Sequence, residues 1–278
     1  MTSVPGSSSV PPDFADALAR VPLGRLASTV AFYPTIGSTN DVASALAARP
    51  ATRTEGAVVF ADEQTAGRGR RGHTWHSPPG SGLYVSVILE PGAARVEPDR
   101  ATMLVTLAAG VALVEGIEAA SGLRPDLKWP NDLLVGRRKL AGILSEGVGV
   151  GTRGSARVSS VIVGYGINIA QTAHPPDVAA RATSLEAELG RPVDRALVFA
   201  RTLSSLAARY DDLLAGRFDA ILDAWRGRAP GAAGARVSWT SPSGSQTGVT
   251  AGIDAHGALL VRTGDRIERI VAGEIVWS

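Results

Sequence analysis

The chain has no cysteine in 278 residues. That excludes disulfides and thiolate metal sites, and it fits a reducing cytoplasm. Lysine is nearly absent as well: of 28 basic residues only Lys128 and Lys139 are lysine. A coding bias has put arginine wherever charge alone suffices. The two survivors lie within one short stretch, which points to at least one site that needs a compact ammonium instead of a planar guanidinium. An excess of one charge is missing too. The net charge is +2, although the pI is 9.3, and this is not the footprint of a dedicated DNA binder. No cation precedes Arg20, so no signal peptide is expected. The longest apolar run, Ala101 to Ala120, carries Glu115 and Glu118 and reads as a core helix, not a membrane span. There is no GxxxxGK[ST], no HExxH and no GxSxG, and Gly164-Tyr165-Gly166 lacks the third glycine of a dinucleotide fingerprint. His73 and His76 are the one close histidine pair, and such a loop pair is read as solvated.

The stretch from Ala61 to Trp75, ADEQTAGRGRRGHTW, stands out. Gly67, Gly69 and Gly72 alternate with Arg68, Arg70 and Arg71. Glycine disfavours helix and strand alike but lets backbone N–H groups come close to a ligand, and arginine adds planar donors. The segment reads as a mobile loop rooted in a sheet and ordered around a carboxylate or phosphate. Alone, it equally fits an Arg-Gly surface loop.

Residues 1–28 read as a Ser/Pro/Gly-rich, disordered lead with one short helix over 13–20. Strands are expected at 29–34, 56–61, 81–90, 127–129, 133–135, 140–146 and 157–164. A helix follows the capping group Ser38-Thr39-Asn40, a long core helix spans 99–120 with Asp99 as N-cap, and further helices span 194–215 and 217–225. Residues 136–139 read as a hairpin tip that includes Lys139, Asp132 as a turn residue, and 147–156 as a loop. Residues 227–234 read as a linker. The short alternating strands after it suggest a small β-barrel.

The candidate segments are Ser38-Thr39-Asn40, Gln64 with Gly67 to Arg70, Trp75, Lys128-Trp129-Pro130-Asn131-Asp132, Lys139 to Gly142, and Gly164 to Asn168. Together they offer short neutral hydrogen-bonding groups, accessible glycines, cations and an aromatic face, with no evident general base or nucleophile. Such a set suits a substrate that brings its own nucleophile and is activated by positioning and charge neutralisation, as in phosphoryl or nucleotidyl transfer.

GRGRRGHTW, KWPNDLL, KLAGIL and GYGIN, in this order and spacing, resemble the biotin–protein ligases (biotin–[acetyl-CoA-carboxylase] ligases) from about Thr29 to Ser278. The resemblance implies an α+β fold: a mixed-sheet catalytic domain of the biotin/lipoate ligase type over 29–227 and an SH3-like β-barrel over 228–278. It implies formation of biotinyl-5′-AMP from biotin and MgATP, then transfer to a lysine of a biotin carboxyl carrier protein. It further implies biotin binding by Ser38, Thr39, Asn40, Gln64, Gly67, Arg68, Gly69, Arg70, Lys128, Gly164 and Gly166. Arg68, Arg70 and Lys128 are the catalytic cations among these, and Gly164 and Gly166 leave room beside the ligand. Trp75, Asn131 and Asn168 are implied on the adenylate side, and metal ligands stay unassigned. His73 and Thr74 depart from the arginine or lysine common in the family, so the loop carries less charge. The lead is too short for a winged-helix domain, and no operator DNA binding is expected. A lipoate or octanoyl ligase or transferase of the same fold is the alternative within the fold, and a nucleic-acid-binding module the alternative outside it.

Overall fold

The computed structural model describes residues 4–49, 54–150, 157–170, 176–241 and 244–277. Helix α1 (Pro12–Ala19) begins on a proline, whose missing N–H falls where a helix has no acceptor for it. It buries Phe14 and Leu18, and the Phe14 ring packs on Phe60 and Phe199 at 5.2 and 5.4 Å.

The main sheet opens with β1 (Val30–Ile36), which crosses through α2 (Thr39–Ala47) to the parallel β2 (Val58–Gln64). β3 (Gly82–Leu89) pairs antiparallel with β2, and all eight of its residues are buried. Helix α3 (Pro98–Ser121) leads on to β4 (Asp126–Lys128), β5 (Asp132–Val135), β6 (Arg138–Val150) and β7 (Arg157–Asn168). The seven strands lie in the order β1-β2-β3-β7-β6-β5-β4. One face of this sheet packs around α2 through Ala43, Leu46, Val59 and Ile88. The other packs against α3 and the helices that follow.

Those helices are α4 (Pro176–Ala179), α5 (Leu185–Leu189), α6 (Arg195–Leu214) and α7 (Phe218–Arg226). Asp194 caps α6 by accepting the Leu197 N–H at 3.0 Å. α3 meets α6 at Gly116, where a Cβ would stand 2.5 Å from the Thr202 Cα, so only glycine allows this approach. By length and composition α3 is apolar enough to cross a membrane, yet 67% of its most apolar window is buried inside the protein.

The chain ends in β8 (Ala233–Ser241), β9 (Gly244–Ile253), β10 (Leu259–Thr263), β11 (Arg266–Ile270) and β12 (Val276–Trp277), an antiparallel sheet in the order β11-β10-β9-β8-β12. It does not hang on a loose linker. Ala229 and Ala232 are buried, and the Arg228 carbonyl accepts the Leu127 N–H at 2.6 Å. The Trp129 indole donates to the Gly257 carbonyl at 2.9 Å, and Arg100 Nε to the Ala255 carbonyl at 2.9 Å. The two sheets therefore share one apolar core.

Several expectations change. Residues 4–11 of the lead are laid along β1: Ser8 N–H donates to Phe32 at 2.9 Å, the Tyr33 hydroxyl donates to Pro5 at 3.0 Å, and Val4 is buried. β1 is a sheet edge, and the lead takes up backbone groups that would otherwise stay open. Residues 1–3 lie outside the described residues. Pro98, not Asp99, starts α3, and Glu97 is its N-cap. β6 continues past Gly147 to Val150, because β7 goes on pairing with it across one register shift between Val148 and Gly149, and glycine weakens a strand without forbidding one. Residues 151–156 of the expected loop lie outside the described residues. Val135 pairs with Arg138, so the hairpin tip is only Gly136 and Arg137, with Gly136 at φ +60°. Lys139 is therefore a strand residue.

Candidate active site

A cavity of about 710 Å³ opens where the N-terminus of α2, the Arg-Gly loop, the β4–β5 corner, the middle of β6 and β7, and residues 273–275 meet. Every predicted site residue lines it except Gly67. Gly67 supports it from behind: a Cβ there would lie 2.5 Å from the Trp75 carbonyl and 2.6 Å from Ser77 Oγ.

The floor is a polar network around α2. Ser38, Thr39 and Asn40 are buried, and the Ser38 side chain makes no capping bond to the helix. Gln64 Oε1 accepts instead from the Thr39 N–H at 2.9 Å and the Thr39 hydroxyl at 3.1 Å, while Gln64 Nε2 donates to Ser77 at 3.0 Å. Asn40 Oδ1 accepts from Ser86 at 2.6 Å, and Asn40 Nδ2 donates to Glu146 Oε2 at 2.6 Å. A carboxylate only accepts, so this contact forces the amide orientation.

The Arg-Gly segment folds as a tight turn off the end of β2. Arg68 bridges Thr74, Gly69 N–H donates to the His73 carbonyl at 2.7 Å, and Trp75 N–H donates to the Gly67 carbonyl at 2.9 Å. One 3-10 turn, Arg70–Gly72, makes the reversal, with Arg71 at φ +55° and Gly72 at φ +77°. His73 and Thr74 thus serve this turn through their backbone.

The two loop cations Arg68 and Arg70 are each held by polar partners. Arg68 Nη2 lies 2.7 Å from Asp41 and 2.9 Å from Glu146. Arg70 Nη1 donates to Asn131 Oδ1 at 3.2 Å, and Asn131 Nδ2 donates to the Ile143 carbonyl at 2.7 Å. Burial holds the Arg70 guanidinium below its ordinary range, against an upward pull from Asp132. Burial likewise pushes the Lys128 ammonium down; Asp132 pulls it up, Lys139 pushes it further down, and Glu274 pulls it up. The Trp277 ring centroid lies 6.0 Å from Lys128 Nζ.

Lys139 is not at a hairpin tip but in the cavity wall. Its Nζ lies 2.7 Å from Asp132 Oδ1 and 5.3 Å from the Trp75 ring centroid. Asp132, read as a turn residue, opens β5 and partners that ammonium. The two glycines expected to leave space are filled by the protein's own side chains. A Cβ on Gly164 would lie 2.8 Å from Asn40 Cγ, and one on Gly166 2.8 Å from Trp75 Cζ2. The Trp75 Nε1 is buried without a hydrogen-bond partner among the described residues. Asn168 Nδ2 donates to the Thr183 carbonyl at 2.9 Å and ties β7 to the segment before α5.

Sequence reasoning missed Glu146, Glu274 and Trp277. Glu146 had a usable signal: at period two it shares the β6 face of Gly142 and Leu144, which line the cavity. Glu274 and Trp277 had none, since only the seam between the sheets brings them here. Among the described residues no group of three or more His, Asp or Glu side chains is arranged to hold a metal ion.

Residues 33–168 match the biotin/lipoate A/B protein ligase family, and residues 234–277 match the biotin protein ligase C-terminal domain. The chain is similar to the bifunctional ligase/repressor BirA of Bacillus subtilis, at 38% identity over 246 residues covering 88% of this chain and 72% of the relative. It is similar to the biotin–[acetyl-CoA-carboxylase] ligase of Mycobacterium tuberculosis, at 33% identity over 256 residues covering 86% of this chain and 85% of the relative. Among solved structures it resembles the biotin protein ligase of Aquifex aeolicus in complex with biotin and ATP, with a TM-score of 0.71, 26% identity, and coverage of 90% of this chain and 99% of that one.

Proposed function

The chain belongs to the biotin/lipoate A/B protein ligase family, and from that premise we propose that it is an ATP-dependent biotin–protein ligase acting in the cytoplasm. One observation carries the reading to this chain's own residues: a single cavity is lined both by a neutral hydrogen-bonding floor, Ser38, Thr39, Asn40 and Gln64, and by cations that include Arg68, Arg70 and Lys128.

In this reading Ser38, Thr39, Asn40 and Gln64 hold the ureido ring of biotin. Arg68, Arg70 and Lys128 face its carboxylate and the α-phosphate of ATP, whose mutual repulsion they offset. A carboxylate oxygen attacks the α-phosphorus, the bond to pyrophosphate breaks, and biotinyl-5′-AMP remains. The ε-amine of a lysine on a biotin carboxyl carrier protein then attacks the acyl carbon, loses a proton, and AMP leaves. Trp75 and Asn168 are assigned to the adenylate side. Asn131, already bonded to Arg70 and Ile143, is assigned to holding Arg70 in place.

ATP would arrive with Mg²⁺, which when bound neutralises triphosphate charge. The chain fits that role without a cage of its own, because Mg²⁺ keeps several waters and binds largely through phosphate oxygens, and the carboxylates lining the cavity are Asp132 and Glu274. Between residues 4 and 28 the one helix, α1, packs on the core through Phe14 and Leu18, and its exposed side carries Asp13 and Asp16, a charge unsuited to the phosphate backbone of DNA.

The test is ATP–pyrophosphate exchange. Exchange should require biotin and saturate with it. Exchange supported by lipoate and not by biotin would overturn the reading, as would steep salt-dependent nucleic-acid binding with no exchange at all.

A further inference from the structure

Arginine carries five N–H donors on three nitrogens. In Arg68 a single nitrogen, Nη2, makes both carboxylate contacts, to Asp41 at 2.7 Å and to Glu146 at 2.9 Å. Nε and Nη1 have no bond to another described residue. The Glu146 oxygen that meets Arg68 also accepts from Asn40 Nδ2 at 2.6 Å. One carboxylate on β6 thus touches both a residue of the neutral floor and a cation of the loop, groups that stand 28 positions apart in the chain (40 and 68).

We propose that Glu146 is a positioning residue that couples the two ends of the biotin site. The proposal rests on the ligase reading above. Glu146, with Asp41, anchors Arg68 by Nη2 and leaves the donors of Nη1 and Nε for an incoming carboxylate or phosphate. Through its bond to Nδ2 it also fixes which atoms of Asn40 face the cavity. The side chains of Arg68, Asp41 and Glu146 are 43%, 64% and 31% exposed. Ion pairs this open to water add little to stability, so the consequence of these contacts is orientation. Orientation is what an activation site without a general base relies on. The loop is glycine-rich, and its cation stays in register with α2 because β6, a central strand of the sheet, supplies the tether.

The experiment compares Glu146→Ala and Glu146→Gln with the unaltered full chain in biotin-dependent ATP–pyrophosphate exchange, reading KM for biotin and kcat separately, with melting temperature alongside. Glu146→Ala should raise KM for biotin about 30-fold, the size of one lost charge-assisted bond, with little change in melting temperature. Glu146→Gln still accepts from Asn40 but brings no charge to Arg68, and should fall between the two. In an Arg68→Ala background the further effect of Glu146→Ala should be less than additive, because one of its two partners is gone. Full additivity would reduce Glu146 to a structural role. An unchanged KM, or tighter biotin binding from a carboxylate that had merely competed for Arg68, would overturn the proposal while leaving the ligase reading intact. Absence of biotin-dependent exchange in the unaltered chain would instead remove the ligase reading, and the proposal with it.

Discussion

Replacing Gly164 by alanine tests the floor of the site directly. Gly164 lies in a strand with no left-handed backbone angle, so alanine meets no conformational obstacle there. The effect comes from contact alone. The new Cβ would stand 2.8 Å from Asn40 Cγ and 2.9 Å from its Nδ2, with Oδ1 closer still. Contacts below 3.0 Å against a buried amide require the amide to move. Moving it breaks the Ser86 bond, a neutral one of about 1 kcal/mol, and the Glu146 bond, a charged one of about 2 kcal/mol. Loss of both corresponds to about 100-fold weaker biotin binding. Overpacking should also lower fold stability by about 1–3 kcal/mol. Biotin titration of the exchange reaction reads the first effect and denaturant unfolding the second. The double variant Gly164→Ala/Asn40→Ala restores the space, so its stability should recover while its KM for biotin stays raised. A Gly164→Ala protein with KM within twofold of the unaltered chain would refute the reasoning, since Asn40 would then have no part in holding biotin.

Lys128→Arg should lower adenylation by at least about 100-fold with unfolding unchanged, because a planar fork cannot replace a compact ammonium in a half-buried site; near-normal exchange would sink that argument. The same lysine gives a pH signature. Its folded-state pKa lies below the ordinary 10.5, so adenylation that needs the ammonium should decline with rising pH before 10.5 is reached, and Lys128→Arg should abolish that limb in a pH–rate profile of whatever activity remains. The sign for stability is opposite. Between the lowered folded value and 10.5 the unfolded chain binds more protons, so the Lys128 contribution to folding grows as pH rises through that window, measurable as the difference between the unaltered chain and Lys128→Met in denaturant titrations. Gly231→Ala would place a Cβ 2.7 Å from Trp277 Cε3, displacing the ring that faces Lys128. It should reduce stability by about 1–3 kcal/mol and lower exchange, and a variant with unaltered unfolding would remove the seam from the account.

Much of this molecule is written in short-range pattern. The alternating and continuous apolar runs became strands close to where they read as strands, and the alanine-rich run after Ser38-Thr39-Asn40 became α2. The Arg-Gly stretch became a turn because glycine at positions such as Gly72 takes a positive φ without strain. The segments carrying the site could be named because each is a local unit of two to five residues with its own chemistry. The disordered lead was misjudged for want of a partner: nothing within residues 4–11 reveals that β1 is an edge. Lys139 was misplaced by a matter of register, since Val135 pairs with Arg138 and the turn closes two residues earlier than composition suggests.

What the sequence determined, then, is the inventory: which groups are available, on which kind of element, and that the cations include two lysines retained in a chain otherwise built on arginine. Tertiary structure alone decided who touches whom. Glu146 meets Arg68 across 78 positions of chain, and Trp277 reaches Lys128 from the opposite sheet. The reason is physical. Element type follows from backbone and side-chain preferences within a few residues, whereas register and packing follow from how whole faces bury against one another, and that is settled only when the chain closes on itself.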